Sequence, residues 1–285
     1  MINYSVLNFD DFITNALNED IGDGDHTSLS CIPLNKLGSA QLIIKQNGIL
    51  AGIELSKKIF NSIDNSLKTN YLLNDGENVK DRDIAFTLEG SVHSILKAER
   101  LVLNCMQHMS GIASATNEVV EKLKNYKTRV LDTRKTMPGL RILEKWAVKI
   151  GGGINHRLGL SDMILIKDNH IDYAGGIKQA IDAALQYRNS HPHLSDICIE
   201  IEARNIQEVK QVIGIGGINR IMLDNFSFDD LKQAVLLIDG QYETEASGGI
   251  TTENVIQYAE CNVDYVSMGA LTHSVKSMDM SLKAI

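Results

Sequence analysis

With 285 residues, 44% of them apolar and 22% charged, the chain has the composition of a globular protein and the length for one large or two ordinary domains. Its formal net charge of -8 excludes a general binder of nucleic acid or membrane surfaces, which needs many exposed cations over a broad face. Any basic site must therefore be local.

Phe9, Phe12, Ile13, Ala16 and Leu17 recur at helical spacing, and the Asp- and Gly-rich residues 20–25 stop that helix and open a loop. Residues 1–20 carry Asp10, Asp11, Glu19 and Asp20 instead of the basic-then-apolar pattern of a secretory leader. Short runs at 40–44, 71–73 and 84–88, bounded by Asn, Asp and Gly, predict strands and so an α+β unit. From His93 to Tyr126 there is no proline, and apolar residues fall at three- and four-residue steps around a break at Ser110 and Gly111. Two successive helices are predicted there.

Beyond Arg129 short apolar runs alternate with helical patterns, the signature of βα units around a parallel sheet. Six strands are predicted, at 130–131, 163–166, 197–201, 220–223, 242–246 and 265–268. Met278, Met280, Leu282 and Ala284 then alternate with polar partners and predict a terminal strand that returns to the first domain. The expected fold is α/β: a smaller α+β amino-terminal domain at 1–112, with the tail 271–285 packed on it, and an incomplete (β/α) barrel at 113–270 carrying the active site. An open doubly wound sheet competes, but six similar units without a Gly-x-Gly-x-x-Gly fingerprint favour the barrel.

No apolar run approaches the roughly 18 residues of a membrane span, and Cys31, Cys105, Cys198 and Cys261 lie far apart without metal-ligand spacing. A cytoplasmic protein with reduced thiols is the expectation.

The predicted strands end in Asp132, Arg134 and Lys135; Lys167 and Asp168; Glu200 and Glu202; Asp224 and Asn225; Glu245 and Ser247; and Ser267 and Gly269. Polar groups delivered at one end of every strand are what a barrel active site requires. Between Asp132 and His170 an acidic chain gathers Arg134, Lys135, Arg141, His156, Arg157, Lys167 and His170 around the triple glycine 151–153. Guanidinium forks match carboxylates and phosphates, so this cluster is read as a cradle for a multiply charged anion.

Ser247, Gly248 and Gly249 after the fifth strand, and Gly269 and Ala270 after the sixth, are candidate phosphate cradles, although glycine also serves ordinary turns. Glu202 and Asp224 suit a metal ion or ribose hydroxyls, or else pair with Lys135 and Lys167. His26, His108 and His170 read as ordinary surface or packing residues, and Trp146 as a core anchor. Gly-x-Ser-x-Gly is absent, so nucleophilic hydrolase chemistry is not indicated.

Asp-Thr-Arg-Lys-Thr-Met-Pro-Gly (132–139), Gly-Gly-Gly-Ile-Asn-His-Arg (151–157) and Ile-Lys-Asp-Asn-His (166–170) resemble the decarboxylating quinolinate phosphoribosyltransferase, or nicotinate-nucleotide pyrophosphorylase, family. So do the stretches 19–25, 98–104, 221–225, 245–250 and 269–274, and the resemblance covers essentially the whole chain. It implies Mg²⁺-dependent transfer of the phosphoribosyl group of PRPP to quinolinate, with loss of pyrophosphate and CO2, to give nicotinate mononucleotide for NAD biosynthesis.

It further implies that Arg134, His156 and Arg157, with Thr133 and with Arg100 from a neighbouring subunit of a homodimer, bind the two carboxylates. Lys135 and Lys167 would stand between acid and phosphates, Glu202 and Asp224 would face ribose and Mg²⁺, and 247–249 with Gly269, Ala270 and Leu271 would hold the 5′-phosphate. The catalytic group is thus expected to be Lys135, Lys167, Glu202 and Asp224. The rivals are a molybdenum-transport-associated paralogue, a nicotinate phosphoribosyltransferase that does not decarboxylate, and a non-catalytic phosphometabolite-binding module.

Overall fold

The computed structural model describes residues 4 and 7–285; residues 1–3 and 5–6, part of the stretch read above for a leader, lie outside the described residues. In chain order the elements begin α1 (Asp10–Ile21), α2 (His26–Cys31), β1 (Leu37–Ile44), β2 (Gly48–Ile49), α3 (Ile53–Ile63), β3 (Lys68–Tyr71), β4 (Asn78–Val79), β5 (Ile84–Ser91) and α4 (Val92–Leu123). They continue with β6 (Arg129–Leu131), α5 (Arg141–Ile150), β7 (Ile164–Ile166), α6 (Asp168–Ala174), α7 (Ile177–Ser190), β8 (Ile199–Ala203), α8 (Ile206–Ile215), β9 (Arg220–Asp224), α9 (Phe228–Ile238), β10 (Glu243–Ser247), α10 (Val255–Ala259), β11 (Tyr265–Ser267), α11 (Ala270–His273) and β12 (Met280–Ala284). No helix among the described residues is long and apolar enough to cross a membrane.

The chain forms two compact units, one of Met1–Ala115, Trp146–Gly151 and Val275–Ile285, the other of Thr116–Lys145 and Gly152–Ser274. In the first, an antiparallel sheet runs β12-β1-β5-β3, with Ala40 opposite Ala284 and Ile44 opposite Met280. The inward residues Leu42, Ile44, Phe86 and Leu88 are fully buried, as alternation over one covered face demands. The strand expected at 71–73 is instead β3 at Lys68–Tyr71, a sheet edge whose exposure alternates, so apolarity was a poor guide to it.

The two helices expected between His93 and Tyr126 are one helix, α4. Ser110 and Gly111 do not break it because their small size is used for close approach. Ser110 Oγ donates to the Ala51 carbonyl (3.1 Å) and accepts from the Ala51 N–H (2.8 Å), while a Cβ on Gly111 would strike the carbonyl of Lys276. Helix α1, by contrast, stops where composition says it should, at Gly22 with φ +56°.

The second unit is a six-stranded parallel sheet in the order β6-β11-β10-β9-β8-β7, its strands alternating with helices. Consecutive strands are neighbours from β7 to β11, and the first strand, β6, closes onto the last. β6 and β7 share no ladder among the described residues; Leu131 on β6 instead makes a single parallel bridge to Ile154, in the segment that leads to β7. This is an incomplete (β/α) barrel, open at one seam. Such an arrangement sends every strand's carboxyl end to the same mouth.

Candidate active site

A cavity of about 860 Å³ lies at that mouth. The loop after β6 supplies Thr133, Arg134 and Lys135 to its wall, the segment before β7 supplies His156 and Arg157, and the turn after β7 supplies Lys167. From the opposite side come Glu202 on β8 and Asp224 on β9. Ser247, Gly248 and Gly249 follow β10, and Gly269 and Ala270 follow β11. Leu271 is buried in α11, and Arg100 is exposed on α4 of the first unit.

The cationic side is held by a buried scaffold. Lys145 and Asp132, both fully buried, form an ion pair. Burial lowers the lysine's pKa and raises the aspartate's, and each opposes that effect in the other. The remaining valences are used to fix the 155–156 turn: Asn155 Nδ2 donates to Asp132 Oδ2 (2.6 Å), the His156 N–H to Asp132 Oδ1 (2.8 Å), and Lys145 Nζ to the His156 carbonyl (3.1 Å). A buried pair so fully hydrogen-bonded positions a loop more than it stabilises a fold.

Arg157 next to this turn has its pKa lowered by burial and by the guanidinium of Arg134. Arg134 Nε is buried without a hydrogen-bond partner. Two neighbouring guanidiniums with donors to spare are a receptor for more than one negative charge. Lys135 is anchored at its backbone, its N–H donating to Thr133 Oγ1 (3.0 Å) and its carbonyl accepting from Thr272 Oγ1 (2.8 Å). Lys167 donates its N–H to His170 Nδ1 (2.9 Å) at the start of α6, and its Nζ lies 3.9 Å from Glu202 Oε2.

On the acidic side the Glu202 pKa is raised, first by burial and then by the charge of Asp224. Asp224 Oδ2 accepts from Asn225 Nδ2 at 2.6 Å. Asn225 adopts a left-handed backbone (φ 55°), donates its N–H to the Ser247 carbonyl (2.8 Å), and packs where a side chain at Gly248 would otherwise sit. The glycine at 248 is thus required by close approach and by its own φ of +97°.

Sequence reasoning named Asn225, Glu200 and Glu245 among the strand-end groups without giving them a role in binding, and passed over His273, Lys145 and Arg220; the structure puts all six in or under this cavity. Asn225 and His273 line it. Lys145 supports it from below, and Glu200, Glu245 and Arg220 cluster beneath His156. A signal existed for the glutamates: Glu200 and Glu202 stand two apart on one strand, hence on one face. The strand's Ile-Glu-Ile-Glu-Ala is buried throughout.

Residues 25–110 match the model described as quinolinate phosphoribosyl transferase, N-terminal domain, and residues 112–283 match the corresponding C-terminal domain. A Nicotiana tabacum protein named quinolinate phosphoribosyltransferase [decarboxylating] 2b, mitochondrial, is 44% identical over 283 residues, 94% of this chain and 80% of that one. A Bacillus subtilis protein named probable nicotinate-nucleotide pyrophosphorylase [carboxylating] is 40% identical, over 93% of this chain and 89% of its own. The solved nicotinate-nucleotide pyrophosphorylase of Francisella tularensis superposes with a TM-score of 0.92 at 36% identity, covering 100% of both chains.

Proposed function

The chain belongs to the quinolinate phosphoribosyltransferase family, and we infer from this that it transfers the phosphoribosyl group of PRPP to quinolinate. The reaction releases pyrophosphate and CO2 and yields nicotinate mononucleotide for de novo NAD biosynthesis. The observation that carries the choice of acceptor is the pair Arg134 and Arg157, crowded enough that one depresses the other. A dianion relieves that repulsion, and quinolinate offers two adjacent carboxylates to two guanidiniums.

The remaining groups fit a sugar phosphate. Ser247, Gly248 and Gly249, with Gly269, Ala270 and the backbone of Leu271, take the 5′-phosphate; Thr133, Lys135 and Lys167 lie between phosphates and acid; Glu202 and Asp224 face the ribose. Glu202, whose pKa is raised first by burial and then by the charge of Asp224, would with Asp224 hold a Mg²⁺ that neutralises charge on the departing pyrophosphate.

The C1′–O bond to pyrophosphate breaks, and Glu202 and Asp224 stabilise the positive charge left on the ribose. The ring nitrogen, aimed by Arg134 and Arg157, forms the new C1′–N bond. The quaternised nitrogen then draws electrons from the neighbouring carbon, so that its bond to the carboxylate breaks to release CO2 and a proton from water takes its place.

We assign the barrel, 113–270, as the catalytic domain and 1–112 with the tail as the smaller one. We also place the working enzyme as a homodimer in which Arg100, exposed on α4, completes the neighbouring subunit's diacid pocket. The four cysteines are free thiols, which suits the reducing cytoplasm.

Carboxyl-labelled quinolinate should release labelled CO2 only when PRPP and Mg²⁺ are both present. Release without PRPP, or none at all, would remove the assignment. Arg134→Ala should weaken quinolinate binding by about 2 to 5 kcal/mol, the cost of leaving a desolvated partner unpaired, and PRPP binding far less. Equal losses in calorimetric titrations would count against the role given to Arg134.

A further inference from the structure

His156 forms part of the cavity wall, yet its backbone and ring Nδ1 are hydrogen-bonded within the protein and its Nε2 lies in ion-pair range of two buried carboxylates. Its N–H donates to Asp132 and its carbonyl accepts from Lys145, as described above. Ring atom Nδ1 accepts the backbone N–H of Arg157 at 2.7 Å. Ring atom Nε2 faces inward, 3.1 Å from Glu200 Oε2 and 3.3 Å from Glu245 Oε2.

Both glutamates are 0% exposed. His156 Nε2, both oxygens of Glu200 and Oε1 of Glu245 make no hydrogen bond of good geometry, so the ring meets the carboxylates through charge and proximity. Their cationic counterpart is Arg220, whose Nη1 lies 3.0 Å from Glu245 and 3.7 Å from Glu200. Arg220 is itself pinned by Glu243 (2.9 Å) and stacked 4.3 Å over the Tyr265 ring. The ligand atoms of His156, Glu200 and Glu245 lie within 4.8 Å of one another, a spacing a metal ion could use, but here the guanidinium supplies the positive charge.

We propose that Glu245 and Glu200 form a buried carboxylate seat that locks the His156 ring, and that the ring in turn fixes the backbone of Arg157 so that its guanidinium meets the diacid. On this view the two glutamates and His156 are positioning residues for Arg157, and the imidazole nitrogens do not touch substrate. The inference rests on quinolinate occupying the Arg134–Arg157 pocket.

Burial lowers the imidazole's pKa, but the two glutamates outweigh it and lift it to about 9, which alone would favour a doubly protonated ring. The Arg157 amide decides otherwise: a proton on Nδ1 would set donor against donor at 2.7 Å in a buried site. The ring therefore holds its single proton on Nε2, between the carboxylates.

Two measurements test this on the full chain. With ¹⁵N-labelled histidine, His156 should show a protonated Nε2 and a bare Nδ1 at neutral pH, and saturating quinolinate should leave both signals in place. A protonated Nδ1, or a ring that changes protonation when the diacid binds, would overturn the seat. In steady-state kinetics, Glu245→Gln should raise the KM for quinolinate about tenfold or more while the KM for PRPP stays within about twofold, because a support loosened beneath one ligand group misplaces that ligand alone. An unchanged quinolinate KM, or equal rises in both, would also overturn it. If Glu245→Gln does not fold, the spectrum of the unaltered chain still decides. A native chain that shows the expected tautomer but never decarboxylates quinolinate would sink the substrate assignment and leave the locked ring standing.

Discussion

A methyl group at position 248 has no space to enter. It would overlap Asn225 Oδ1 and lie 2.6 Å from Asn225 Cγ, and the backbone there is held at a φ of +97° that alanine resists. Gly248→Ala should therefore push Asn225 away from Asp224, raising the KM for PRPP and costing on the order of 1 to 3 kcal/mol in stability by urea unfolding. An unchanged KM would show that Asn225 does not orient Asp224. The acids themselves report through pH. Glu202 must be ionised to serve the ribose cation, and its pKa is raised above the ordinary 4.5, so activity is full above that raised value and lost as pH falls through it. The acid limb of kcat/KM should sit above 4.5, and Asp224→Asn, by deleting a charge that raises it, should move the limb down in whatever activity remains. A limb that does not move would detach Glu202 from it. Most of the residues that line the mouth were legible because they sit at or just beyond strand ends and are charged, polar or glycine. Lys145 was not: on an amphipathic helix a lysine reads as solvated, and only the loop of residues 151–157, folding back to Asp132, makes it a buried one.

Helix α4 shows where pattern reading fails for a physical reason. Serine followed by glycine is a break in an isolated helix, because glycine costs about 1 kcal/mol relative to alanine. Within a packed unit the same pair becomes a contact surface. Gly111→Ala gains that propensity but drives a methyl group into the Lys276 carbonyl and within 3.1 Å of Val275 Cγ1. Backbone cannot swing aside as a side-chain tip can, so the clash, typically 1 to 3 kcal/mol, should exceed the gain and the variant should unfold at lower urea than the native chain. A variant more stable than the native chain would mean that the carbonyl moves freely. Elsewhere the element pattern was readable. Most barrel strands follow from short apolar runs between turn residues, since a parallel sheet buried on both faces needs apolar strands, while β10, Glu-Thr-Glu-Ala-Ser, is the polar exception. That the first strand closes onto the last, leaving β6 and β7 unpaired at a seam, depends on non-local pairing that no local pattern encodes.

At the scale of the whole molecule the open question is whether one chain makes a complete site. The cavity wall comes from the second unit alone and already contains two guanidiniums, yet α4 carries Arg100 exposed to solvent. If that arginine serves a neighbouring subunit, Arg100→Ala and Lys135→Ala chains are each inactive as homodimers but complementary when mixed. In a mixed dimer the barrel of the Arg100→Ala chain keeps its lysine and receives an intact arginine from its partner, while the other site carries both lesions. Random reassociation makes about half of the dimers mixed, each with one good site of two, so activity should return to about a quarter of the native value. A site built from a single chain gives no recovery at any mixing ratio. Recovery that tracks the fraction of mixed dimers across ratios separates true complementation from a residual activity of either parent, which would vary linearly with its own share.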